Sequence, residues 1–121
     1  MIELLEGFPD CVVAATAKGR VTKRDYEEVL TPKIKEVVGG HRQIRCYFEL
    51  GHEFSGFDAG AAWEDFKLAI EHRAYWERVV VVTDMEWIRL AMNMFRFLVP
   101  GQVRVVATSD APEARRWIAA A

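Results

Sequence analysis

Residues Arg78–Leu98 read RVVVVTDMEWIRLAMNMFRFL, a continuous β-branched run that passes straight into an unusually apolar helix-forming segment. Arg78 to Thr83 does not alternate between apolar and polar residues. It therefore reads as a strand covered on both faces, the arrangement of a parallel sheet with helices packed over it. Asp84 ends the strand and is placed to cap the next helix through its carboxylate. In that helix, Met85–Leu98, only Glu86, Arg89, Asn93 and Arg96 are polar. At about 100° per residue they make one narrow stripe. Trp87, Ala91, Met94 and Leu98 fall opposite it and are expected to meet the core. Leu90 and Phe97 flank the stripe on one side, Met85 and Met92 on the other, which is more apolar surface than a sheet requires. Leu90, Met92 and Phe97 are accordingly expected to meet an apolar partner other than the sheet.

The rest of the chain repeats the strand-then-helix pattern. Met1–Glu6 and Cys11–Ala17 read as two strands around the turn Gly7-Phe8-Pro9-Asp10, an edge hairpin. Gly19 is expected to break the second strand. Thr22, with Asp25 three residues on, starts a first helix through a variant capping box. Tyr26, Val29, Leu30, Ile34 and Val37 share one face of that helix, Pro32 should kink it, and Gly39-Gly40 stop it. Arg42–Leu50 is a third strand and Gly51–Phe57 a loop. Asp58 opens a second helix with Ala59, Ala62, Trp63, Phe66, Ile70 and Ala74 on one face and Leu68 opposite. Arg78–Thr83 and Val103–Thr108 are the fourth and fifth strands. Ser109-Asp110 then cap a last helix that packs Trp117-Ile118 inward. The order β-β-α-β-α-β-α-β-α implies an α/β fold, a single-domain mixed β-sheet flanked by helices with right-handed crossovers. Trp63 and Trp87 are expected to be largely buried, and Glu64, Asp65, Glu71, Glu86 and Arg89 exposed.

With 121 residues, 51% of them hydrophobic, the chain has enough for one packed core and is not a disordered one. A formal net charge of −2 argues against nucleic acid as a partner, which would call for a basic stripe. Cys11 and Cys46 sit inside apolar strands and read as reduced buried thiols rather than a disulfide framework. Met1–Glu6 lacks the basic and long apolar regions of a signal peptide, so a cytoplasmic location is expected.

Ligands of such sheets sit beyond the carboxyl ends of the parallel strands. Glu49, His52, Glu53, Ser55 and Asp58 follow the third strand, Asp84 and Glu86 the fourth, Ser109 and Asp110 the fifth. His52 among carboxylates has the chemistry of a metal ligand or a general base, but the spacing matches no ligand signature. Asp58, Asp84 and Asp110 each have sufficient work as helix caps. Gly51 and Gly56 have the outer spacing of a P-loop, yet Phe57-Asp58 stand where Lys and Ser or Thr belong. No cofactor, metal or catalytic residue is therefore expected. The apolar constellation is the stronger signal. Phe54 and Phe57 precede the second helix, Trp63, Phe66 and Leu68 lie on it, and Trp87, Leu90, Met92, Met94, Phe95 and Phe97 lie on the third. Packed side by side, these helices would enclose an aromatic and Met-lined cleft. The same residues also suit ordinary core or a homodimer contact.

One family shares these features. The pattern Gly19…Thr22-x-x-Asp25-Tyr26-x-x-Val29-Leu30-x-Pro32, then Ile44-Arg45 with Glu49-Leu50, then Val80-Val81-Val82-x-Asp84-x-x-Trp87, resembles the SpoIIAA-like proteins of the STAS superfamily, often labelled STAS/SEC14. The resemblance runs over essentially the whole chain, 1–121, to the closing Ala114-x-x-Trp117-Ile118. It implies a mixed sheet of four to five strands flanked by helices, no known enzymatic activity, and binding of an apolar ligand or a membrane surface. Anti-sigma-factor antagonists carry a phosphorylatable Ser in an Asp-Ser-Ser-Gly context at the start of the second helix. The matching stretch here is Asp58-Ala59-Gly60-Ala61, which has no hydroxyl, and Ser55 upstream is a poor substitute. The expectation is a non-enzymatic domain that binds a small apolar molecule, a lipid or a membrane surface. The site comprises Phe54, Phe57, Trp63, Phe66, Trp87, Leu90, Met94 and Phe97. A regulatory protein-interaction module using the same surface is the alternative, and a metal-dependent enzyme built on His52 the weaker one.

Overall fold

The Pro9 carbonyl accepts the Val12 amide at 3.0 Å, closing the turn that sets the first two strands against each other. In this computed structural model, which describes residues 1–120 and all their side chains except those of Asp65, Phe66, Ala69, Ile70, Phe95 and Leu98, β1 (Ile2–Leu4) pairs antiparallel with β2 (Val12–Val21). The strands β3 (Ile44–Phe57), β4 (Trp76–Thr83) and β5 (Gln102–Val106) follow in parallel, giving one five-stranded sheet in the order β1-β2-β3-β4-β5. The helices are α1 (Lys23–Asp25), α2 (Thr31–Gly40), α3 (Ala59–Glu71), α4 (Glu86–Phe95) and α5 (Ala111–Ala119). The mixed α/β sheet and the edge hairpin are those the sequence predicts.

Because the parallel strands advance in one direction across the sheet, right-handed crossovers place every connecting helix on the same face. On that face Val13, Ala15, Phe48, Leu50 and Val81 are buried with Leu30, Ile34, Leu68 and Ile88. The alternate residues Val12, Ala14, Tyr47, Val80 and Val82 face Ala114 and Ile118 of α5 on the other side. Two arginines anchor the end of α5, whose last carbonyls have no helical donors. Arg45 Nη1 donates to the carbonyls of Ile118 at 2.8 Å and Ala120 at 2.6 Å. Arg78 Nη1 donates to those of Trp117 and Ala120, both at 2.9 Å.

The first helical region begins with the predicted capping box. The Thr22 amide donates to the Asp25 carboxylate at 2.8 Å and the Asp25 amide to Thr22 Oγ1 at 3.3 Å. It is then interrupted by a π-turn over Tyr26–Leu30, where the Thr31 amide reaches back to the Tyr26 carbonyl. Pro32, which has no N–H to offer, opens α2 immediately afterwards. The bend expected at Pro32 is thus taken up by the turn before it.

The largest differences from the sequence reading lie in β2 and β3, the other strand ends shifting by one or two residues. Gly19 does not end β2, and Gly51–Phe57 is not a loop but the second half of β3. Ala17 pairs with Leu50 and Gly19 with Phe54, so Lys18 alone stands opposite residues 51–53. Gly19 and Gly56 take φ of +59° and +145°, conformations that let the ladder slip and resume. The expected helix caps at Asp84 and Asp110 are also corrected. Met85 holds the N-cap position of α4, its amide bonded to Thr83 Oγ1 at 3.1 Å. The Asp84 carboxylate instead accepts the Thr108 amide at 2.9 Å, tying β4 to the segment after β5. Asp110 caps α5 by position, with no side-chain hydrogen bond.

Candidate functional site

Helices α3 and α4 both start at the carboxyl end of the sheet, and between them lies a cleft of about 460 Å³. Phe48, Leu50 and Val81 of the sheet line it, as do Ala59 and Ala62 of α3 and Trp87, Ile88, Ala91 and Met92 of α4, with Tyr26, Phe57 and Asp58 completing the wall. Asp58 is the only charged residue in this set, and its carboxylate is paired with Arg20. A second, smaller cavity of about 80 Å³ shares Phe48, Val81 and Met92 with the lining of the cleft.

The cleft exists because both helices turn an apolar face away from the sheet. In α4, Ile88 is buried and Met92 partly so, while Trp87 is 55% exposed, Met94 77% and Phe97, just beyond the helix, 87%. Winding at about 100° per residue divides the surface into sectors. Ile88 and Met92 meet the sheet. Arg96, Arg89, Asn93 and Glu86 form the polar stripe. Phe97, Leu90, Met94, Trp87 and Ala91 form an outward apolar sector, of which Trp87 and Ala91 border the cleft. The core face expected at Trp87, Ala91 and Met94 is therefore wrong by roughly one residue's rotation, and Leu98 lies outside the described side chains. In α3 the sheet-facing residues are Ala61, Glu64 and Leu68, not the predicted Ala59, Ala62 and Trp63, and Trp63 is 58% exposed. Leu68 is core rather than surplus. Glu64, expected in solvent, is buried and paired with Lys67 at 3.3 Å.

Of the eight residues named from sequence, Phe57 and Trp87 line the cleft, their rings edge-to-face with centroids 6.5 Å apart. Phe54 is buried behind Phe57 at 4.9 Å. Trp63, Leu90, Met94 and Phe97 are exposed outside the cleft, and the side chain of Phe66 lies outside the described residues. Met92, expected to meet an apolar partner other than the sheet, packs against the core and borders the cleft, and the side chain of Phe95 lies outside the described residues. Sequence reasoning missed Tyr26, Phe48, Leu50, Val81, Ile88 and Ala91. Their core periodicity concealed that one end of each faces a cavity.

The polar candidates scatter. Glu49 accepts the Tyr47 hydroxyl at 2.7 Å and lies 3.9 Å from Arg115, on the α5 side of the sheet. Burial, opposed by the Arg115 hydrogen bond and assisted by Glu49, pushes the Tyr47 phenol up to about 12. The Thr108 amide holds the Asp84 carboxyl below its ordinary value, with smaller help from His52 and Arg89. Among the described residues no three or more His, Cys, Asp or Glu side chains converge as metal ligands would. At the start of α3, where antagonists of the related kind present Ser, the hydroxyl-free Ala59 borders the cleft. A Cβ added to the neighbouring Gly60 would meet Lys23 Cβ at 3.2 Å.

Residues 12–119 match the SpoIIAA-like family. This chain belongs to the SpoIIAA-like family. A solved structure agrees: the chain is similar to an uncharacterized protein from the DUF3478 family with a SpoIIAA-like fold, from Shewanella loihica PV-4. The two share 26% sequence identity at a TM-score of 0.76, over 98% of this chain and 92% of that one. No curated protein matches the chain.

Proposed function

We propose that this SpoIIAA-like domain is a non-enzymatic binding protein that holds a small apolar molecule in the cleft between α3 and α4. The observation that carries this is the cleft's lining, which is apolar but for Asp58 and has a volume of about 460 Å³, within the range of small-molecule sites. Titration with N-phenyl-1-naphthylamine, followed through tryptophan quenching, tests it. Wild type should bind, and Ala91→Trp, which fills the cleft from an exposed helix position, should weaken binding at least tenfold. Equal affinity in the two proteins would refute the reading. Native mass spectrometry of freshly purified protein reports any copurified molecule.

A second reading rests on a different observation. Leu90, Met94 and Phe97 are exposed but do not line the cleft, and Arg89 and Arg96 sit on the adjacent sector. An amphipathic helix with that division suits the surface of an anionic bilayer, lying in its plane; among the described residues no helix is long and apolar enough to cross a membrane. Flotation with vesicles containing phosphatidylglycerol should be lost in the double variant Leu90→Lys, Phe97→Glu, while naphthylamine binding is kept. Protein that stays at the bottom of the gradient with or without the substitutions would dismiss this reading. Cofloating wild type with an unaffected double variant would dismiss it equally.

A further inference from the structure

The strand order ends on β5, so one side of Gln102–Val106 has no strand partner. Open edges recruit further strands, and proteins shield them with bulges, prolines or very short strands. The opposite edge, β1, is three residues long. β5 has five, reads QVRVV, and pairs with β4 without a register shift. A hollow flanks this edge on each face of the sheet. Val103 belongs to the face covered by the crossover helices, whereas Arg104 and Val106 are level with Val80 and Val82 on the α5 face. Toward α4 the hollow is bordered by Arg96, Phe97, Gln102 and Arg104, with no acid. Arg96 lies against the strand itself, its Nη2 donating to the Val103 carbonyl at 3.1 Å. Toward α5 a hollow of about 220 Å³ is lined by Val80, Arg104, Val106, Asp110, Glu113 and Trp117. Among the described residues neither Asp110 nor Glu113 is ion-paired. Arg104, the cation of that hollow, instead stacks over the Trp117 ring, 4.2 Å from its centroid. One hollow is cationic and the other offers two free carboxylates.

We propose that β5 receives an extended segment of a partner protein as a sixth strand, with side chains alternately acidic toward α4 and basic toward α5. Successive side chains of a strand point to opposite faces, so a segment paired with β5 delivers its residues to the two hollows in turn. Main-chain hydrogen bonds to the open edge hold it, and the hollows select its side chains. An acid on one face pairs with Arg96, and a Lys or Arg one residue on pairs with Asp110 or Glu113. The β5 strand of a second copy fits less well, since QVRVV has no acid to offer Arg96. No residue lines both the cleft and either hollow, so this surface stands independently of the cleft reading.

The test uses two peptides of one composition, blocked at both ends. In TEKVKET the acids fall on one face of the extended chain and the lysines on the other, whereas TEEVKKT mixes them on both faces. In ¹⁵N-labelled protein, TEKVKET should slow hydrogen exchange at amides within Gln102–Val106. It should bind about 3- to 10-fold more tightly than TEEVKKT, the worth of two or three exposed cross-strand charge pairs. Arg96→Glu and Glu113→Lys, both at exposed positions, should each weaken TEKVKET about 2- to 5-fold. Equal affinity for the two peptides overturns the proposal, as does protection that appears outside β5 or binding of neither peptide. If the β5 amides are protected without peptide, in a manner that depends on protein concentration, a second copy occupies the edge and the proposal is likewise overturned. The wild-type comparison decides the matter even where a variant proves unstable.

Discussion

The rotational setting of α4 is open to a direct thermodynamic test, because neighbouring apolar residues on it have opposite surroundings. Ile88→Ala removes a three-carbon branch from a buried side chain. At about 0.8 kcal/mol per buried carbon the transfer loss is about 2.4 kcal/mol. A cavity penalty adds to it, but Ile88 already borders the cleft, so that penalty is small. The better helix propensity of Ala offsets about 0.4 kcal/mol. The expected net loss is about 2–3 kcal/mol, near the lower end for such truncations. Met94→Ala deletes as many heavy atoms and Phe97→Ala twice as many, from side chains that are mostly in solvent, and both should change stability by less than about 0.5 kcal/mol. Urea unfolding followed by circular dichroism would read the difference. With a slope of about 1.5 kcal/mol/M, Ile88→Ala lowers the midpoint by about 1.5 M while the other two leave it nearly in place. A Met94→Ala midpoint as low as that of Ile88→Ala would show that α4 is turned as the hydrophobic pattern suggests, and the cleft argument would fall with it.

Further outcomes follow from local geometry. A Cβ at Gly101 would press into the carbonyl oxygens of Trp76 and Glu77, both immovable backbone, so Gly101→Ala should cost at least about 2 kcal/mol in the same urea assay. Arg45→Ala removes two hydrogen bonds to the end of α5 and the 2.6 Å pair with Glu77; faster amide exchange confined to α5 is expected, and uniform exchange across the sheet would contradict the anchoring role. The Tyr47 phenol, pushed up to about 12, should remain protonated when the unfolded chain has ionised. Its contribution to stability is whole below about pH 10 and is lost as pH rises toward 12, a loss that Tyr47→Phe abolishes. Asp84, whose carboxyl is held low by the Thr108 amide, stabilises above the unfolded carboxylate pKa of about 4. That part disappears as pH falls through the lower folded value, and Asp84→Asn should flatten this acid limb of the stability profile.

Much of the fold is legible in the chain. Val12 to Ala17, Ile44 to Leu50 and Val79 to Val82 are strand-forming by composition, and Thr22 with Asp25 announces its helix. Gly51–Phe57 misleads because two glycines and a histidine look like a loop; only the return of buried Phe54 betrays the resumed strand. The helix faces mislead for a deeper reason. Periodicity locates the most apolar side of a helix, and core burial is then inferred from it. In α3 and α4 the most apolar side borders the cleft or solvent, while Ala61, Glu64 and Leu68 or Ile88 and Met92 meet the sheet. A buried acid such as Glu64 gives no advance sign.

The consecutive strand order has a geometric consequence. The five strands at about 4.8 Å spacing present a platform about 19 Å across between the outer axes. Three helices set side by side at about 10 Å need about 20 Å. A doubly wound sheet sends its crossovers to both faces and leaves each of them room. Here α2, α3 and α4 share one face, and the far face has only α5. Three rods therefore use the whole floor, β1 included, with no width to spare. Helices that part by a few ångströms, as α3 and α4 do, cannot be closed up by a fourth element from the same face, and the gap stays open.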